Sequence, residues 1–128
     1  MKILLIEDDL DDIELLQEGL GDFPYEMDVA NDGGLAVEYI KASKSRPDLI
    51  VLDLNLPKIH GRDVILEIKA SPLFQHVPLI ILTTSSAKED MEYAYKNGAD
   101  KYLLKPTDSQ QLDQIVSIIY SYSPKKPA

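Results

Sequence analysis

An unbroken apolar run, Leu49-Ile50-Val51-Leu52, leads directly into Asp53 and leaves few choices for the fold. Such a run predicts a strand buried on both faces, as in the middle of a parallel sheet. Ligands of open α/β sheets bind beyond the carboxyl ends of these strands. A carboxylate there costs desolvation free energy unless a neighbouring group stabilises its charge. Asp53 is therefore either a cap of the following turn or part of a charged site.

Strand-like and helix-like segments alternate along the rest of the chain. Apolar or alternating segments predict five strands at about 2–6, 25–30, 49–52, 78–82 and 101–104. Helical spacing follows each of them, as in Leu10, Ile13, Leu16 and Leu20 before the stop at Gly21. Ser86 and Glu89 have the spacing of a capping box and predict the start of the fourth helix. The fold class is therefore α/β, a doubly wound five-stranded parallel sheet with five helices and right-handed crossovers.

Length and composition predict one ordinary globular domain at residues 1–122, with 123–128 as a flexible C-terminal tail. The net charge of −9 argues against nucleic acid as a partner, because phosphate binding needs a basic face. No segment has the length of a membrane span, and the acidic residues from Glu7 onward end the first apolar run too early for a signal peptide. The absence of cysteine is compatible with a reducing cytoplasm, where we expect the protein.

The predicted carboxyl ends of the strands meet at one edge of the sheet, and their side chains are chemically related. They are Glu7, Asp8 and Asp9, then Asp53, then Thr83 and Thr84, then Lys105. Converging carboxylates suit a hard cation such as Mg²⁺. A hydroxyl and a lysine opposite them suit an anion, and the whole set suits phosphoryl transfer. Singly, each has a simpler interpretation as a helix-starting acid, a cap or a surface lysine.

Four motifs resemble the receiver domain of two-component response regulators, over the chain from first strand to last helix. They are Ile6-Glu7-Asp8-Asp9, Leu52-Asp53-Leu54-Asn55-Leu56-Pro57 with Gly61, Leu82-Thr83-Thr84-Ser85, and Tyr102-Leu103-Leu104-Lys105-Pro106. The resemblance implies flavodoxin-like topology with strand order 2-1-3-4-5. The short chain and the long loop before Pro78 look most like the stand-alone regulators paired with phytochrome-type kinases.

Residue by residue, the resemblance implies that Asp53 is the phosphoacceptor. Asp8, Asp53 and the backbone carbonyl of Asn55 would be Mg²⁺ ligands, with Glu7 acting through a metal-bound water. Thr83 would be the switch hydroxyl, Tyr102 the aromatic residue coupled to it, and Lys105 the lysine that pairs with the phosphate. The family also implies a cis bond before Pro106. Thr84 is larger than the residue usual in the family, which implies slower access of water or partner to the site.

The implied function is that of a single-domain response regulator in a phosphorelay. It accepts a phosphoryl group from the phosphohistidine of a histidine kinase or phosphotransfer protein, without turning over a substrate as an enzyme does. Five of the seven tyrosines fall in the last two helices and the fifth strand, so we expect this face to bind a partner or form a homodimer.

Three alternatives use a similar fold. A haloacid-dehalogenase-like phosphatase needs an aspartate two residues after its nucleophile, where this chain has Asn55. A flavodoxin-like nucleotide binder needs a phosphate-cradling first loop, which Glu7, Asp8 and Asp9 would oppose. A pseudo-receiver that acts only as a binding module is disfavoured because no site residue of the family is missing.

Overall fold

A computed structural model describes residues 1–124, and residues 125–128, which form most of the predicted tail, lie outside the described part. Strands and helices alternate strictly within it. The strands are β1 (Lys2–Ile6), β2 (Glu26–Ala30), β3 (Leu49–Leu52), β4 (Leu79–Thr83) and β5 (Lys101–Leu104). The helices are α1 (Leu10–Leu20), α2 (Gly33–Ala42), α3 (Gly61–Ala70), α4 (Lys88–Lys96) and α5 (Ser109–Tyr120).

The strands form one parallel sheet in the order β2-β1-β3-β4-β5, which confirms the predicted fold class and strand order. Helices cover both faces of the sheet. Because the side chains of a strand alternate between these faces, each inner strand contributes to both layers of the core. Leu4, Ile50 and Ile81 point toward α2, α3 and α4. Leu5 and Val51 point toward α1 and α5. All four residues of β3 are fully buried, as the apolar run predicts for a central strand.

Side chains at the helix ends explain most of the boundaries. Asp9 caps α1 by accepting hydrogen bonds from the backbone N–H groups of Asp11 and Asp12, so its predicted role as a helix-starting acid is confirmed. Gly21 ends the same helix at a φ of 55°, a conformation that favours glycine. Asp108 caps α5 by accepting a hydrogen bond from the backbone N–H of Gln111.

The predicted capping box at Ser86 and Glu89 is wrong. The N-cap of α4 is Ala87, which offers no side-chain hydrogen bond to the first turn. Ser85 takes over part of this role, because its Oγ accepts from the N–H of Ala87 at 3.3 Å and donates to Asp90 in the first helical turn. The helix α4 therefore begins one residue later than the capping-box pattern predicts.

Two other features at the surface differ from the simple pattern. Leu10 has helical spacing with Ile13 and Leu16 but is 68% exposed, because it lies at the first position of α1, beyond the end of the sheet. Ser123, in the predicted tail, is anchored by a hydrogen bond from its N–H to the carbonyl of Tyr120 at 3.0 Å. Within residues 1–124, no helix has both the length and the apolar character needed to cross a membrane.

Candidate functional site

Lys105 joins the ends of three strands. It follows β5, and its Nζ lies 2.7 Å from Glu7 Oε1 and 2.8 Å from Asp53 Oδ2. Glu7 and Asp53 directly follow β1 and β3, so the parallel sheet brings both carboxylates to one edge. Only 13% of the Lys105 side chain is exposed. The charged cluster that the strand ends predict is therefore present.

Glu7, Asp8 and Asp53 form an acidic cluster beside this lysine. One carboxylate oxygen from each lies within 4.8 Å of the others. Glu7 and Asp53 are each 4% exposed, whereas Asp8 faces solvent. Oxygen donors at this spacing fit a hard divalent cation, which would relieve the repulsion among the carboxylates. The cluster has the charge and the opening to solvent that a divalent-cation site requires.

The electrostatics of the cluster depend on burial. Burial raises the pKa of Glu7 to about 7 and Asp53 adds to the rise, although Lys105 and the N–H of Asp9 act in the opposite direction. Burial alone would lower the pKa of Lys105, but its hydrogen bonds to three carboxylates raise it above its ordinary value. Lys105 therefore stays charged, and Glu7 exchanges a proton near neutral pH.

Hydroxyl and amide groups border the acidic cluster. Thr83 ends β4 and is fully buried. The Asn55 side chain donates from Nδ2 toward the Oγ1 atoms of Thr83, at 3.5 Å, and Thr84, at 3.3 Å. The N–H of Asn55 donates to Asp53 Oδ1 at 3.1 Å, which orients the carboxylate. Thr83 and Asn55 thus lie at the same strand edge as Asp53, with Thr84 exposed at its border.

Tyr102 connects the site to the loop between β4 and α4. This residue is 8% exposed, and its hydroxyl donates to the carbonyl of Ser85 at 2.8 Å. Ser85 Oγ donates to Asp90, which also accepts from Arg62 of α3, with Nε at 3.0 Å. These two donors hold the pKa of Asp90 below its usual range. We call Arg62, Ser85 and Asp90 the α3–α4 clamp.

The clamp and Asp12 are the parts of the site that the sequence interpretation missed. Asp12 Oδ2 lies 2.6 Å from Lys105 Nζ, as close as the carboxylates of the cluster. Asp12 lies in the first turn of α1, and its partner Lys105 is 93 residues away in the chain, so no local spacing marks the pair. The same holds for Arg62 and Asp90, which are 28 residues apart in the chain.

The implied cis bond before Pro106 is not found, since residues 1–124 contain no cis peptide bond. The bond between Lys105 and Pro106 is trans. An X–Pro bond favours trans by about 0.5–1 kcal/mol unless its surroundings select the other form. Lys105 reaches Asp53 and Glu7 in this geometry.

Known proteins resemble this chain in sequence. A family model described as "Response regulator receiver domain" matches residues 3–117. The response regulator Rcp1 of Synechocystis sp. is 36% identical, in an alignment that covers 94% of this chain and 86% of Rcp1. The probable methanogenesis regulatory protein FilR2 of Methanothrix harundinacea is 35% identical, with 94% of this chain and 81% of that protein covered.

Solved structures agree in fold and in sequence. The crystal structure of the phosphorylated cyanobacterial phytochrome response regulator RcpA matches with a TM-score of 0.85 and 41% identity, covering 94% of this chain and 91% of RcpA. The Mn²⁺-bound form of Rcp1 matches with a TM-score of 0.85 and 35% identity, covering 99% of each chain. With the acidic cluster, this match indicates a divalent-cation site. The chain therefore belongs to the response regulator receiver family of two-component signalling.

Proposed function

We propose that this response regulator accepts a phosphoryl group on Asp53 in a Mg²⁺-dependent reaction. The observation that carries the proposal is the 2.8 Å contact between Lys105 Nζ and the buried Asp53 carboxylate, beside the acidic cluster. Asp53 has a lysine on one oxygen and the N–H of Asn55 on the other. This arrangement holds a nucleophilic carboxylate in a fixed orientation next to a positive charge.

In the proposed reaction, an Asp53 oxygen attacks the phosphorus of a phosphohistidine. The new O–P bond forms as the P–N bond breaks, and the imidazole nitrogen leaves with the electron pair. Asp8, Asp53 and the Asn55 backbone carbonyl would hold Mg²⁺, with Glu7 nearby. When bound, Mg²⁺ supplies charge neutralisation for the transferring oxygens. Lys105 and Thr83 hold the phosphoryl oxygens of the product by a charge and a hydroxyl donor.

Phosphorylation then changes the packing around Tyr102. A phosphoryl group adds negative charge and strong acceptor oxygens, which draw the Thr83 hydroxyl toward the site. Thr83 lies on β4 opposite β5, and Tyr102 follows it into the space released. Because the Tyr102 hydroxyl is bonded to the Ser85 carbonyl, this movement alters the loop that leads into α4. The result is a population shift between two states of one surface.

We propose that the phosphodonor is a histidine kinase or a phosphotransfer protein of the phytochrome-associated type. The similarity of this chain to RcpA, a cyanobacterial phytochrome response regulator, supports this choice. The receiver unit extends over residues 1–122 and works as a signalling domain, with autophosphorylation and slow autodephosphorylation as its only chemistry.

We further propose that α4, β5 and α5 form a homodimer or bind a partner after phosphorylation. The cytoplasm, where such kinases present their phosphohistidine, is the proposed location.

The test is incubation with Mg²⁺ and acetyl phosphate, followed by intact mass measurement. We expect one phosphoryl group on the wild type and none on Asp53→Asn. Asp63→Asn is the matched control, because Asp63 is an exposed aspartate of α3 and should not affect labelling. Labelling of Asp53→Asn would contradict the assignment. Rapid release of phosphate without accumulation of phosphorylated protein would instead favour the phosphatase alternative.

A further inference from the structure

The ammonium group of Lys105 is fully used. Its three N–H donors meet three carboxylates, with Asp12 Oδ2 at 2.6 Å, Glu7 Oε1 at 2.7 Å and Asp53 Oδ2 at 2.8 Å. An incoming phosphoryl oxygen must therefore take an N–H from one of these partners. Which partner gives way depends on how costly it is to leave each carboxylate without the lysine.

The three carboxylates differ in exposure. The side chains of Glu7 and Asp53 are 5% and 4% exposed, so an unpaired charge on either would be costly. The Asp12 side chain is 36% exposed, and water can replace Lys105 there. Asp12 is also the only one of the three outside the acidic cluster of Glu7, Asp8 and Asp53. Asp12 can therefore pair with Lys105 whether or not a cation occupies that cluster.

We infer that Asp12 is a positioning residue that draws the charge of Lys105 away from the phosphorylation site. The inference rests on the proposed function of Asp53. When a cation enters the cluster, Asp12 offsets the positive charge of Lys105 and reduces its competition for Glu7 and Asp53. When a phosphoryl anion is present, the same carboxylate repels the anion and competes for the lysine. Asp12 thus favours the cation and disfavours the anion.

Two affinities measured by calorimetry test this inference, that for Mg²⁺ alone and that for beryllofluoride at saturating Mg²⁺. Beryllofluoride serves as the anionic analogue of the phosphoryl group. We expect Asp12→Asn to weaken Mg²⁺ binding and to strengthen beryllofluoride binding, each by about threefold, as suits a partly exposed ion pair. Opposite changes distinguish this role from a folding defect, which would weaken both. A thermal melt checks that the variant is folded.

The matched control is Asp11→Asn, which removes the same charge from the neighbouring exposed position of α1. Asp11 side-chain atoms make no ion pair or hydrogen bond with Lys105, so we expect a smaller effect on both affinities. In a Lys105→Met background, Asp12→Asn should then change Mg²⁺ affinity no more than Asp11→Asn does. Equal affinities for wild type, Asp11→Asn and Asp12→Asn would overturn the inference alone. Failure of the wild type to bind beryllofluoride would instead overturn the proposed function.

Discussion

Burial and charge act in opposite directions on Glu7. Its carboxyl group has a pKa raised from the ordinary value of 4.5 to about 7, because burial outweighs the contact with Lys105. The folded state therefore holds a proton that the unfolded state releases between about pH 4.5 and 7. The contribution of Glu7 to the free energy of unfolding falls as the pH rises through this interval, and is lowest above it.

The same pKa links metal binding to pH. A carboxyl group must lose its proton to face a cation, so Mg²⁺ binding at pH 7 should release roughly half a proton. We expect Mg²⁺ affinity to fall as the pH is lowered from 8 to 6. Calorimetry in two buffers of different ionisation enthalpy measures the proton released, and Glu7→Gln should abolish it. Binding without any proton release in the wild type would contradict the raised pKa.

Asp8 and Asp9 are neighbours with different tasks. Asp8 contributes an oxygen to the acidic cluster, whereas Asp9 caps α1. We expect Asp8→Ala to abolish most Mg²⁺ affinity with little effect on stability. Asp9→Ala should lower the free energy of unfolding by about 1 kcal/mol, the usual value of an N-cap, and leave Mg²⁺ affinity nearly unchanged. Calorimetry and urea unfolding measure the two effects, and equal losses of metal affinity in both variants would show that the assigned roles are wrong.

At the scale of elements, the α3–α4 clamp fixes the start of α4. Arg62 donates to Asp90 from α3, and Ser85 donates to it from the β4–α4 loop. The ring of Tyr93 lies 4.9 Å from the Arg62 guanidinium, so α3 and α4 are held together by a second contact. Because α4 has no side-chain cap of its own, its first turn depends on this clamp.

We therefore expect Asp90→Asn to loosen the first turn of α4 and the loop at Ser85. The lost charge-assisted hydrogen bonds should raise amide exchange there by about tenfold. Tyr102, bonded to the Ser85 carbonyl, should then shift more readily between its states. Hydrogen exchange with mass spectrometry measures this. The control is Glu89→Gln, an exposed change in the same turn. Equal amide exchange in both variants would show that the clamp does not hold the start of α4.

The elements themselves were largely predictable from the sequence, and their contacts were not. Apolar runs such as Leu49–Leu52 depend only on burial, and Gly21 and Asp9 mark helix ends through local backbone chemistry. The predicted start of α4 was wrong because the helix begins after Ala87, and the serine that bonds to its first turn is Ser85 and not Ser86. Asp12 was overlooked because its partner, Lys105, is 93 residues away in the chain. Local patterns carry no direct information on such pairs.

In the whole molecule, the sheet order places the cluster around Asp53 at the end of the central strand, and an outer face formed by α4 and β5 at one edge of the sheet. Tyr95 is 49% exposed and Leu104 is 51% exposed on these elements, while Lys101 and Asp100 add charges of both signs. The Tyr95 hydroxyl accepts a hydrogen bond from the Tyr102 N–H at 3.0 Å, so this exposed ring is linked directly to Tyr102. Tyr120, in contrast, is half-buried against Phe23.

Apolar rings among charges of both signs suit a self-complementary contact between two copies of the chain. Since Tyr95 is hydrogen-bonded to Tyr102, a shift of Tyr102 upon phosphorylation should change this surface and strengthen the contact between the two copies. We expect sedimentation velocity to show a larger species when beryllofluoride and Mg²⁺ are added to the wild type. Lys101→Glu should prevent it by placing a like charge near Asp100, whereas Lys41→Glu, the same charge change on the exposed side of α2, should not. A monomer in every sample would eliminate the homodimer and leave a different protein as the partner of this face.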